Sequence, residues 1–119
     1  MPRALLGFFV LASVACSSPT GPLAVTATGA QSLRLVNPTA EPIYYFVVEC
    51  DAAALINWAP CTDPAHCKTV PARGARSVPY AEIAFYTPQA RRAIVYWWHL
   101  RAAGGGFHLD SIRASTVDL

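Results

Sequence analysis

Charge is what this chain has least of. Asp, Glu, Lys and Arg supply 13% of its 119 residues, whereas 54% are apolar. That balance leaves little for a solvated, disordered tail and enough for one hydrophobic core in a single domain. The nine Lys and Arg include Arg3, ahead of the first apolar run, so eight basic residues face seven acidic ones from Cys16 onward. Arg91-Arg92 is the sole adjacent basic pair and reads as a solvated turn. Phosphate binding needs a dense basic patch, so nucleic acid is excluded as a partner. Methionine occurs once, as the initiator, which rules out a Met-rich copper site. The chain has no nucleotide-binding loop, nucleophile elbow, paired-carboxylate motif or HExxH. No internal repeat is present either. The expectation is a non-enzyme with no cofactor and no catalytic residues.

No apolar run reaches the about 20 residues that a membrane-spanning helix requires. The one at the start is shorter and differently framed. Arg3 precedes LLGFFVLASVA, small residues follow, and Cys16 comes next. A basic start, a short apolar segment and a small-residue cleavage zone make up a secretory signal. Ser13-Val14-Ala15-Cys16 resembles the lipobox of bacterial lipoproteins, although Ser13 stands where Leu is commonest. That resemblance implies a thioether-linked lipid on Cys16, cleavage before it, and membrane anchorage at the cell envelope. Ser17 in place of Asp implies the outer-membrane or periplasmic side in a Gram-negative cell. Plain secretion, with cleavage near Ala15, is the alternative.

The expected organisation is a signal peptide over 1–15, a lipidated cysteine and flexible tether over 16–31, and one domain over 32–119. The tether carries no charge and is rich in Ser, Thr, Pro, Gly and Ala, a composition without an apolar face. Behind it, short β-type runs alternate with turn signals: 32–37, 43–50, 55–58, 68–72, 76–80, 93–102 and 107–119. About seven such strands point to an all-β, immunoglobulin-like sandwich. The chain in this respect resembles small uncharacterised lipoproteins of that architecture. Thr87-Pro88-Gln89-Ala90-Arg91 predicts one turn of helix, with Thr87 as cap and proline at the first helical position.

Alternation along the strands predicts the faces. Glu49 shares a face with Ile43, Tyr45 and Val47, which places Tyr44, Phe46 and Val48 inside. In 93–100, Ile94, Tyr96, Trp98 and Leu100 form the larger apolar set and are placed inside. Tyr45, Val47, Val95, Trp97 and His99 then face outward, a candidate docking surface for an envelope protein or a glycan. A two-residue turn at Gly104-Gly105 sets Leu100 opposite Leu109 and His99 opposite Asp110. His99 beside Asp110 is a possible general-base pair, with Ser111 on the wrong face to complete a triad.

Cys50, Cys61 and Cys67 remain once Cys16 is set apart. Thr62-Asp63-Pro64 forms a turn, which favours a Cys61–Cys67 disulfide and leaves Cys50 as a buried thiol. The alternative is a metal or redox site built from Cys61, His66 and Cys67 with Cys50 as a fourth ligand. Its spacing matches no standard zinc knuckle, and no metal site is expected.

Overall fold

The computed structural model describes residues 21–119. The expected signal segment, Cys16 and the first residues of the expected tether lie outside the described residues. Among those described, nine strands form: β1 (Ala24–Ala27), β2 (Ser32–Val36), β3 (Ile43–Glu49), β4 (Thr69–Val70), β5 (Ala75–Pro79), β6 (Arg92–Trp98), β7 (Leu100–Ala103), β8 (Gly106–Leu109) and β9 (Arg113–Asp118). One helical turn, α1 (Cys50–Ala53), follows β3, and a 3-10 turn covers Tyr80–Glu82. The fold is all-β and sandwich-like.

A three-stranded sheet in the order β1-β2-β5 packs on a four-stranded sheet in the order β4-β3-β6-β9. Every paired strand runs antiparallel to its neighbour. Leu33, Leu35 and Val78 of the first sheet meet Ile43, Tyr45, Val47, Val95 and Trp97 of the second to make the core. Two apolar sheet faces stacked in this way remove the most surface from water for the least chain. The segment between Val70 and Ala75 crosses from one sheet to the other, so the two proline-bearing runs around Arg73-Gly74 pair with different partners. The hairpin β7-β8 is a two-stranded sheet of its own.

Several boundaries differ from the sequence expectation. The tether does not extend to Gln31: β1 pairs with β2 from Ala24↔Val36 to Ala27↔Leu33, and Leu23 is buried. The chain is held there by close packing. A Cβ added to Gly21 (φ +81°) would come within 2.6 Å of the Trp97 ring, so glycine alone fits. Residues 55–58 are irregular rather than a strand, for a reason given below. The expected strand 93–102 breaks at His99 into β6 and β7, which belong to different sheets, and 107–119 breaks likewise into β8 and β9. Thr87–Ala90 closes a turn through the Ala90 N–H to Thr87 carbonyl bond (2.9 Å) and stops short of a helix. The hairpin register is the expected one, with Leu100 opposite Leu109 and Ala103 opposite Gly106.

Candidate functional site

The five residues expected to form an outward docking face are buried: Tyr45 4%, Val47 5%, Val95 0%, Trp97 0% and His99 9% exposed. The outward assignment is therefore overturned: Tyr45, Val47, Val95 and Trp97 lie on the core side of the four-stranded sheet, and His99 is buried just past the end of β6. Glu49 explains the error. It ends β3, and its carboxylate caps α1, accepting the Asp51 N–H (3.0 Å) and the Ala52 N–H (2.9 Å). A strand-terminal residue that turns to cap a helix says nothing about which face its strand buries. Burial leaves the Tyr45 hydroxyl and Trp97 Nε1 without hydrogen-bond partners. Burial also pushes the Tyr45 hydroxyl above its ordinary range, with the Arg76 charge acting the other way.

The opposite face of the same sheet is apolar too. Val48, Ile94 and Trp98 are buried there, and the segment after α1 covers them. Trp58 is the pin, with its ring centroid 4.8 Å from Phe46, 4.9 Å from Tyr96 and 5.9 Å from Trp98. Trp98 Nε1–H donates to the Cys61 carbonyl at 3.0 Å. LINW reads as a strand because it is apolar, yet its Leu55 is exposed and its Trp58 covers the sheet.

Cys61 and Cys67 form a disulfide with a Cα–Cα separation of 5.7 Å, as the intervening turn implies. Cys50 is not a free thiol: it too is disulfide-bonded. A sulfur held in a disulfide is no thiolate ligand, so Cys61, His66 and Cys67 do not fit a metal in this form. His66 instead meets Asp63, Nδ1 to Oδ2 at 2.6 Å, on an exposed turn. That contact, with the Ala65 N–H, holds the Asp63 carboxyl below its usual range. Among the described residues no group of three or more His, Cys, Asp or Glu side chains is placed to hold a metal ion.

The polar cluster with most chemistry lies at the base of the β7-β8 hairpin. His99 Nε2 is 3.3 Å from the Thr39 hydroxyl, and His99 Nδ1 is 3.7 Å from Asp110 Oδ2. Asp110 Oδ1 accepts the His99 N–H (3.3 Å) and the Ser111 N–H (2.7 Å). Desolvation opposes ionisation of Asp110, but the bonds from Ser111 and His99 and the His99 charge outweigh it and hold the carboxyl below the usual range. Arg101 pairs with Glu41 and lies 3.7 Å from Asp110, and Glu41 holds its guanidinium firmly protonated. Sequence reasoning reached His99 and Asp110 through the hairpin register. It missed Thr39 and Glu41, which come from the β2–β3 connection and carry no local signal.

Hydroxyl, imidazole and carboxylate in that order have the connectivity of a hydrolytic triad, but the polarity is reversed. Buried Asn37 sets it. Asn37 Nδ2 is surrounded by the carbonyls of Glu41 (2.8 Å), Val70 (3.2 Å) and Pro71 (3.1 Å), so Oδ1 is the acceptor end. Oδ1 takes the Thr39 N–H at 2.9 Å and the Thr39 hydroxyl proton at 2.6 Å. The Glu41 carbonyl, 2.9 Å from the same hydroxyl, is a second acceptor. A threonine has one hydroxyl proton and neither oxygen can donate, so the Thr39 oxygen accepts from His99 Nε2–H instead of donating to it. His99 in this arrangement cannot draw a proton from Thr39. Ser111 is exposed and donates its backbone N–H to Asp110.

An open cleft of about 190 Å³ lies elsewhere, at the end of β3 and β6, lined by Glu49, Cys50, Asp51, Gln89, Arg91 and Arg92. Its mixed charges match no single ligand. Among the described residues, Leu55, Phe85, Phe107 and Ile112 are the exposed large apolar side chains. No known protein family, no curated protein and no solved structure matches this chain.

Proposed function

We propose that the chain is an exported cell-envelope domain that acts by binding rather than catalysis and is anchored by lipid on Cys16. The observation that carries export is the Cys61–Cys67 disulfide. Such bonds persist in oxidising compartments and are rare where thiols are kept reduced. The lipobox-like Ser13-Val14-Ala15-Cys16 supports the anchor. No helix among the described residues is long and apolar enough to cross a membrane. The reversed polarity at Thr39, His99 and Asp110 supports the non-catalytic reading. With the Trp97 face closed, contact with an envelope protein or glycan falls to exposed segments such as the β7-β8 hairpin, where Phe107 stands 48% exposed.

The Cys50 disulfide favours a second reading. Cys61 and Cys67 bind each other, and Cys16 is the remaining cysteine of the four in the sequence. A cysteine cannot carry a thioether lipid and a disulfide on one sulfur, so a Cys16–Cys50 bond would mean plain secretion without an anchor.

Fractionation decides between the two. The anchor reading expects the wild-type protein in the membrane pellet, Cys16→Ser in the soluble fraction, and an acylated N-terminal peptide by mass spectrometry. A Cys16–Cys50 cross-linked peptide from a soluble wild-type protein would establish the second reading instead.

A further inference from the structure

His99 occupies the break between β6 and β7, where the chain leaves the sandwich and enters the hairpin. Strands β7 and β8 pair only with each other among the described residues, and their positions 101–108 are exposed on both sides. A two-stranded hairpin is marginally stable at best on its own. Its order comes from contacts at its base. The backbone there is joined by the His99 N–H to Asp110 Oδ1 and the Asp110 N–H to the His99 carbonyl, and Leu100 and Leu109 pair half-buried. The side-chain contacts are His99 to Asp110, His99 to Thr39, Arg101 to Glu41 and Arg101 to Asp110.

We propose that His99 is a proton-operated latch holding the β7-β8 hairpin to the body of the sandwich. Because the Thr39 proton goes to Asn37 Oδ1 or the Glu41 carbonyl, His99 Nε2 carries a hydrogen in both states of the ring. The proton that comes and goes is the one on Nδ1, which faces the Asp110 carboxylate. With Nδ1 protonated, a cation meets that carboxylate and the latch is closed. With Nδ1 bare, its lone pair faces the negative charge and the contact turns repulsive. The Arg101–Glu41 pair is about half exposed on each side and is too weak to replace it.

The groups around His99 are accounted for on every side. Asp110 faces it from the β8–β9 link, Arg101 neighbours Asp110 from β7, and Glu41 holds Arg101 from the β2–β3 link. From β6, the Trp97 ring meets the imidazole edge-on at 6.0 Å, and Arg113 of β9 lies over that same ring. His108 pairs across the hairpin with Arg101 and is the titratable group most easily confused with His99.

The test is ¹⁵N relaxation and imidazole ¹⁵N shifts of the protein with the His99 ring charged and with it neutral, at about pH 5 and about pH 8. Amide order parameters over Arg101–His108 should fall from about 0.85 to below about 0.6 at the higher pH. The neutral His99 ring should report hydrogen on Nε2. His108→Asn should keep the response, and His99→Gln should abolish it. Hairpin order that is equal at both pH values overturns the latch, as does a response that survives His99→Gln or a neutral ring protonated on Nδ1. Should His99→Gln fail to fold, Asp110→Asn takes its place: loss of the pH response supports the latch and its persistence overturns it.

Discussion

Trp97 is where the packing converges. Its indole is fully buried in the inter-sheet core, Gly21 passes close enough to exclude a Cβ, and the Arg113 guanidinium lies 5.3 Å from the ring centroid. Truncating a large buried aromatic removes its transfer free energy and leaves a cavity. Trp97→Ala should therefore lower unfolding free energy by about 3–5 kcal/mol in urea denaturation. A loss below about 1 kcal/mol would show that the ring is not in the core. Glu49 marks the limit of sequence reading at this scale. Its charge is the one clear polar marker on β3, and it is diverted to cap α1, so alternation left one apolar face facing solvent where both are covered.

At the scale of elements, the four-stranded sheet is apolar on both faces, and this shapes the rest of the chain. One face is covered by the three-stranded sheet and the other by the segment that Trp58 pins down. Trp58→Ala removes three aromatic contacts from a half-buried ring and should cost about 1.5–3 kcal/mol. Proteolytic nicking within 54–60 should accelerate in the same variant. Unchanged nicking would mean that Cys61–Cys67 alone holds the cover. Turn chemistry was the most legible part of the sequence: the glycine run at 104–106 fixed the hairpin register, and Thr62-Asp63-Pro64 indicated the disulfide. The Trp58 cover was not legible, because an apolar LINW whose Trp58 covers a sheet and one that joins it have the same composition. Strand β1 was hidden for a related reason. AVTA carries no run of large side chains and is held by pairing with β2 and by Leu23, which is a tertiary effect. Among candidate site residues, His99 and Asp110 were readable because one hairpin register places them together. Thr39, Glu41 and Asn37 were not, since the β2–β3 connection meets the hairpin base only in the folded chain.

For the whole molecule, a small two-sheet core is reinforced by covalent bonds, and the proposal of export rests on those bonds. A disulfide closing a short loop stabilises mainly by restricting the unfolded chain, and it does so only where thiols stay oxidised. Export, the anchor or release at Cys16, and a binding role at the envelope all depend on that condition. The most direct test is peptide mapping of the protein recovered from its own cells, alkylated at lysis and digested without reductant. The account predicts a cross-linked Cys61–Cys67 peptide with neither residue alkylated. Alkylated thiols at both positions would contradict it.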